Sequence, residues 1–106
     1  MINVNDAFNA GPQAVAELLS RLPTDLSIDD MDIKRLADSC WTRASTLSKT
    51  RVGDARLWAL SALAGYEFLQ QHGNPGAARS AGENVAALRS WQLLREETQS
   101  AVNKPS

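Results

Sequence analysis

Apolar positions recur along this chain at three- and four-residue intervals, the spacing of a helix face, and never alternate over four or more residues as a strand would. Val15, Leu18, Leu19 and Leu22 make one stripe, which predicts a helix over residues 12–22. Gly11-Pro12 starts it, because proline's missing N–H costs nothing at the first helical position; an earlier start near Asn5 is the alternative. Pro23 ends it, since the residue before a proline is pushed out of helical geometry.

A second helix is expected over 29–48, capped by Ser27, with Asp29, Asp30 and Asp32 in the first turn where the helix dipole favours anions. Its inner stripe is Ile33, Leu36, Ala37, Cys40, Ala44 and Leu47, with Trp41 at the edge. The Ser/Thr-rich stretch Thr42–Thr50 then reads as a polar, basic loop.

The third helix, 54–72, is capped by Gly53 or Asp54 and is apolar on nearly every side, with a thin polar seam at Arg56, Ser61 and Glu67. Such a helix is buried, so the pattern predicts it at the centre of the molecule, or with one side against another copy of the chain. Gly73 closes it, Asn74 caps the next helix and Pro75 opens it. That fourth helix runs on from 75 to about Gln99, burying Ala78, Ala81, Val85 and Leu88. The expected architecture is an all-α compact bundle of about four helices, one domain over 1–100, with a disordered tail at 101–106.

Charge refines this picture. The formal net charge is −1, so no global field draws the chain to nucleic acid or an anionic membrane. The distribution is uneven: residues 1–32 carry one Arg against six carboxylates, and residues 33–56 carry six basic residues against Asp38 and Asp54. A single cysteine, Cys40, rules out an internal disulfide framework and favours a reducing compartment. "MINVNDAF" lacks the basic and apolar segments of a secretory signal, and no apolar run reaches the roughly 18 residues of a membrane span. The expectation is a cytoplasmic protein with no membrane partner.

Candidate chemistry is sparse. His72, the only histidine, stands at a helix end as a cation beside the dipole. Cys40 in Ser39–Trp41 falls on a buried stripe, where a thiol is inert. Asp29–Asp32 reads as a cap region rather than a cation site, and "GNPGAA" has neither the Lys nor the glycine spacing of a phosphate loop. No catalytic, metal or cofactor site is expected, and the chain reads as non-enzymatic.

Two binding functions remain. The first is a protein-interaction module of the adaptor, inhibitor, immunity or chaperone type, built on the hairpin of the third and fourth helices. Small residues at Ala59, Ala62, Gly65, Ala78, Ala81 and Gly82 let those helices approach closely. Trp41, Trp91, Leu93 and Leu94 exceed what one small core can absorb beside the third helix, which predicts a contact surface and a two-fold homodimer. The contact residues are Trp41, Trp91 and Leu94, with Arg43 on the adjoining basic segment.

The second is DNA binding. Residues 74–95 follow a Gly-Asn lead with an Ala pair at Ala77-Ala78, Ala-Gly at Ala81-Gly82, then Leu88 and Trp91. This pattern resembles the helix-turn-helix of phage terminase small subunits and transposase-like proteins. The resemblance implies a turn at Gly82 with left-handed backbone. It also implies Asn84, Arg89, Ser90 and Gln92 at base edges, with Lys49 and Arg51 of the basic segment on phosphates. The pattern departs at Glu83, where the motif buries an apolar residue, and Arg79, Arg89 and Arg95 are balanced by Glu83, Glu96 and Glu97.

Overall fold

The computed structural model describes residues 4–21 and 29–94. Every regular element in them is a helix: α1 Val4–Ala10, α2 Pro12–Arg21, α3 Asp30–Leu47, α4 Val52–His72 and α5 Pro75–Ser90, followed by a short helical turn at 92–94. This is more than the four expected, for two local reasons. At the front, Gly11 adopts φ +130°, a backbone that side-chain-bearing residues avoid, and it divides the segment into α1 and α2. At the back, Trp91 takes ψ 130° and ends α5, so the helix expected to run unbroken to Gln99 stops at Ser90. Ser27, Leu22, Pro23, Gln99 and the tail 101–106 lie outside the described residues.

The caps match the sequence expectation in part. Asp29 caps α3 rather than sitting in its first turn: its carboxylate accepts from the Asp32 amide at 2.9 Å. The helix runs to Leu47, close to the expected end at 48, so the stretch expected as a loop from Thr42 is non-helical only over 48–51; within the helix Thr42 and Thr46 donate their hydroxyls to carbonyls one turn back. Neither Gly53 nor Asp54 caps α4. It starts at Val52 with Arg51 as N-cap and no side-chain cap bond, and Asp54 instead pairs with Arg51 at 2.8 Å. Asn74 caps α5 by accepting from the Ala77 amide at 2.9 Å, with Pro75 at the first helical position. The Asn74 amide and side chain both donate to Asp30, which joins the α4–α5 corner to the start of α3.

Helix α4 packs against α3, α5 and α2, and α1 lies between α2 and α3. One face of α4, with Ala55, Trp58, Ala59, Ala62, Gly65, Tyr66 and Leu69, is buried. Against it lie Ile33, Leu36, Ala37, Cys40 and Ala44 of α3, and Ala81, Val85 and Leu88 of α5. Helix α4 is not covered all round, however. Leu57 and Leu60 remain 52% and 40% exposed, while Ser61 of the expected polar seam is buried. Ser61 is tolerated because its hydroxyl lies 3.1 Å from both the Pro12 and the Leu57 carbonyls. Among the described residues no helix is long and apolar enough to cross a membrane.

Glycines mark the tight contacts. A Cβ on Gly65 would sit 3.0 Å from the Ala37 Cβ, so this residue sets the α3–α4 approach. Gly73 ends α4 in extended, not left-handed, backbone; it is glycine because a Cβ there would stand 2.6 Å from the Leu69 carbonyl oxygen. Gly82 lies inside α5, helical on both sides, where an added methyl meets only the end of the flexible Gln70 side chain at 3.4 Å. Urea denaturation should therefore show Gly73→Ala losing about 1–3 kcal/mol through the backbone clash. By the same measurement Gly82→Ala should gain up to about 1 kcal/mol from helix propensity.

Candidate functional site

Two surface grooves flank α4. The first lies between α2 and α4 and encloses about 570 Å³. Its α2 side is made of Ala10, Gly11, Pro12, Gln13 and Ala16, and its α4 side of Leu57, Leu60, Ser61 and Ala64, with Asp54 at one end. Gly11 and Pro12 shape it: the positive φ turns the chain sharply, and residues without long side chains leave the trough open. Ser61 is the polar group of its floor and is hydrogen-bonded inward. Leu57, Leu60 and Ala64 share one side of α4 by helical spacing. That side bears two of the large exposed hydrophobics, and Val52, 42% exposed, stands at the helix start.

The second groove runs between α3 and α5 with Tyr66 at its base. It consists of two joined hollows of about 620 and 450 Å³, which share Lys34, Tyr66, Ser80 and Asn84. Its lining is mixed. The Tyr66 hydroxyl donates to Asp38, Lys34 pairs with the same carboxylate at 2.7 Å, and Trp41 meets the Tyr66 ring edge-on at 5.9 Å. Burial pushes the Tyr66 phenol well above its ordinary range, and the hydrogen bond to Asp38 and the charge of that carboxylate push the same way. Burial likewise raises the Cys40 thiol to about 12, against the opposing charge of Arg43. Cys40 is thus a protonated core thiol with little nucleophilic character at neutral pH. The His72 ring lies against Phe68, with centroids 4.8 Å apart and the planes tilted by 41°. Among the described residues no three His, Cys, Asp or Glu side chains converge as a metal site would require.

The residues singled out from the sequence are dispersed. Trp41, half-buried, and Asn84 line the α3–α5 groove together, although the sequence assigns them to different functions. Arg43 is directed elsewhere: its guanidinium covers the Phe8 and Trp58 rings, 4.9 and 5.2 Å from their centroids. Leu94 is core, 7% exposed, as is Leu93, so the short turn at 92–94 returns both leucines to the interior. The Leu93 carbonyl accepts from Arg56 Nε at 3.2 Å, which helps hold that return in place. Trp91 is half-buried against the core at the end of α5. Arg89 pairs with Glu67 at 2.6 Å and Arg51 with Asp54, while Ser90, Gln92 and Lys49 are exposed. The residues assigned to base edges do not form one strip: Asn84 faces the groove, and Ser90 and Gln92 lie on either side of the break at Trp91.

Sequence reasoning missed the α2–α4 groove. Its signal was Gly11-Pro12 flanked by the small residues Ala10 and Ala16, a turn with little side-chain bulk set opposite an apolar helix. No family model, curated protein or solved structure matches the chain.

The raised thiol and phenol values predict alkaline sensitivity. In the unfolded chain Cys40 and Tyr66 ionise near 9.0 and 10.0, whereas in the fold both stay protonated to higher pH. Their contribution to stability is complete below pH 9 and is lost as pH rises through 10 and beyond. Chemical denaturation between pH 8 and 11 should show this fall in the wild type. It should be shallower in Tyr66→Phe and in Cys40→Ala, each compared with its own value at pH 8.

Proposed function

We propose that this protein is a small, non-enzymatic helical interaction module that binds another protein through the outward side of α4 and the adjoining α2–α4 groove. The observation that carries this reading is the exposure of Leu57 and Leu60 on the helix that otherwise supplies the core. Fully burying a leucine contributes about 1.5–3 kcal/mol, and the whole margin of a domain is only about 5–15 kcal/mol. Two half-exposed leucines beside an apolar trough therefore leave a sizeable part of that stabilisation for a partner to recover.

The hydrogen bonding supports the same reading. Ser61, at the floor, has already satisfied its hydroxyl within the chain, so covering the groove strands no donor there. The chemistry-bearing side chains have structural employment: Cys40 in the core, Tyr66 and Lys34 on Asp38, and Asp29 and Asp30 on helix ends. The surface differs from the one read from sequence, since Leu94 is buried and Arg43 is held on aromatic rings.

The test is cross-linking in the native host with wild type and the Leu57→Asp/Leu60→Asp double variant. Both positions are exposed, so the double variant should keep its helical circular dichroism and melt within a few degrees of wild type. Its cross-linked complexes should disappear. Complexes that survive it but vanish with Trp41→Ala would move the working surface to the α3–α5 groove and overturn this assignment.

A further inference from the structure

We propose that the groove between α3 and α5 is a second binding site, and that it takes an extended peptide carrying a basic residue. The site is separate from the outward side of α4 and does not depend on that surface. Helices α3 and α5 both pack on α4 and set out from one corner, where the Asn74 amide and side chain donate to Asp30. The first hollow lies beside Asp29 to Lys34 of α3 and the second beside Lys34 to Ser45. Lys34, Tyr66, Ser80 and Asn84 form the waist that joins them. From Asp30 to Ser45 the α3 wall rises about 22 Å, at about 1.5 Å per residue. An extended chain advances about 3.3 Å per residue, so about seven residues fill the groove. A compact small molecule would occupy one hollow and leave the other empty.

The groove's side chains suit a peptide backbone. Tyr66 and Leu69 beneath it are each 1% exposed, so the floor is settled without a ligand. Lys34 spends one of its three donors on Asp38 and keeps the others. On the opposite rim Ser80 and Asn84 make no hydrogen bond among the described residues. They stand one helical turn apart, about 6 Å. An extended chain presents the same edge every second residue, about 6.6 Å apart. On that edge a residue turns its N–H and its C=O to the same side. The Asn84 carboxamide carries a donor and an acceptor, so it can exchange both bonds with one peptide residue as a neighbouring strand would. Ser80 then meets the next residue on the same edge. Charge sets the sign of the ligand. The lining holds the carboxylates of Asp29, Asp30 and Asp38 against the single ammonium of Lys34. Phosphates of a nucleic-acid strand, or an acidic peptide, would meet that excess of negative charge, whereas a lysine or arginine complements it.

Nuclear magnetic resonance titration of the isotopically labelled full chain tests the proposal. The probe is a mixed-sequence library of capped heptapeptides with lysine fixed at one position. Resonances of Lys34, Ser80 and Asn84 should shift together and saturate, while those of Leu57 and Leu60 stay in place. The same library with glutamate in place of lysine should bind about ten-fold more weakly. Methylating the peptide nitrogens removes the backbone donors and should also weaken binding about ten-fold. Asn84→Ala, on the half-buried rim of α5, should keep the helical circular dichroism of wild type and lose about ten-fold in affinity. Leu57→Asp/Leu60→Asp should leave peptide binding unchanged. No saturable shift in the groove up to millimolar peptide overturns the proposal. Binding indifferent to both backbone methylation and Asn84→Ala overturns it too, as does tighter binding of a seven-nucleotide oligothymidylate. None of these failures touches the reading of the outward α4 side, which host cross-links through Leu57 and Leu60 report alone.

Discussion

The contact between Gly65 and Ala37 is the constraint from which the rest of the fold follows. Because a methyl group at Gly65 would already press to 3.0 Å on the Ala37 Cβ, α3 and α4 meet almost backbone to backbone. That approach makes Ala55, Ala59 and Ala62 sufficient to fill the inner face of α4, and it directs Tyr66 toward the Asp38 carboxylate of α3. It also commits one side of α4 to α3. Helices α2 and α5 take the flanks, and the sector bearing Leu57, Leu60 and Ala64 is left as the outside. The candidate surface is what remains when a helix that is apolar nearly all round has been given three neighbours rather than four.

This explains which parts of the molecule are legible in the sequence. The spacing of Ile33, Leu36, Ala37, Cys40 and Ala44 identifies the buried stripe of α3, and Asn74-Pro75 identifies the start of α5, because those signals are local. The all-round apolar character of α4 is equally plain, but its cover depends on how many helices reach it, which periodicity along one helix does not encode. Hence the pattern alone makes Leu57 and Leu60 interior, and Trp41, Trp91 and Leu94 the surplus. In the fold Leu94 is interior, because a break at Trp91 lets the chain turn back. The break carries no proline or glycine at that position, so nothing in the sequence marks it.

The two grooves differ in how their polar atoms are spent. Between α3 and α5, Asp38 receives both Lys34 and the Tyr66 hydroxyl, and Asp30 receives the Asn74 amides; these bonds fasten three helices and leave a channel of mixed lining over an aromatic base. Between α2 and α4 one serine serves two carbonyls and the remainder is carbon-rich. The first groove works as a brace for the α3–α4–α5 arrangement. The second is bridged by the Ser61 hydroxyl on the Pro12 carbonyl, and the apolar face beside it is proposed to meet a partner.

The alanine-and-glycine seam between α3 and α4 also fixes how the protein tolerates sequence drift. Most cores are injured by truncation, since removing carbon leaves a void. At Ala37, Ala55, Ala59, Ala62 and Gly65 there is almost nothing to remove, and the vulnerable direction is growth: each added methylene must push two helices apart. Substitution pressure on this seam is therefore one-sided. Descendants of this chain can exchange alanine for glycine along it for about 1 kcal/mol each of helix propensity, whereas a side chain at Gly65, or valine or leucine at the alanines, must arrive with a compensating loss across the seam. The bulky positions, Tyr66, Leu69 and Ile33, follow the opposite rule. A record of accepted substitutions would thus trace the line where the two helices touch by the ceiling it places on side-chain volume.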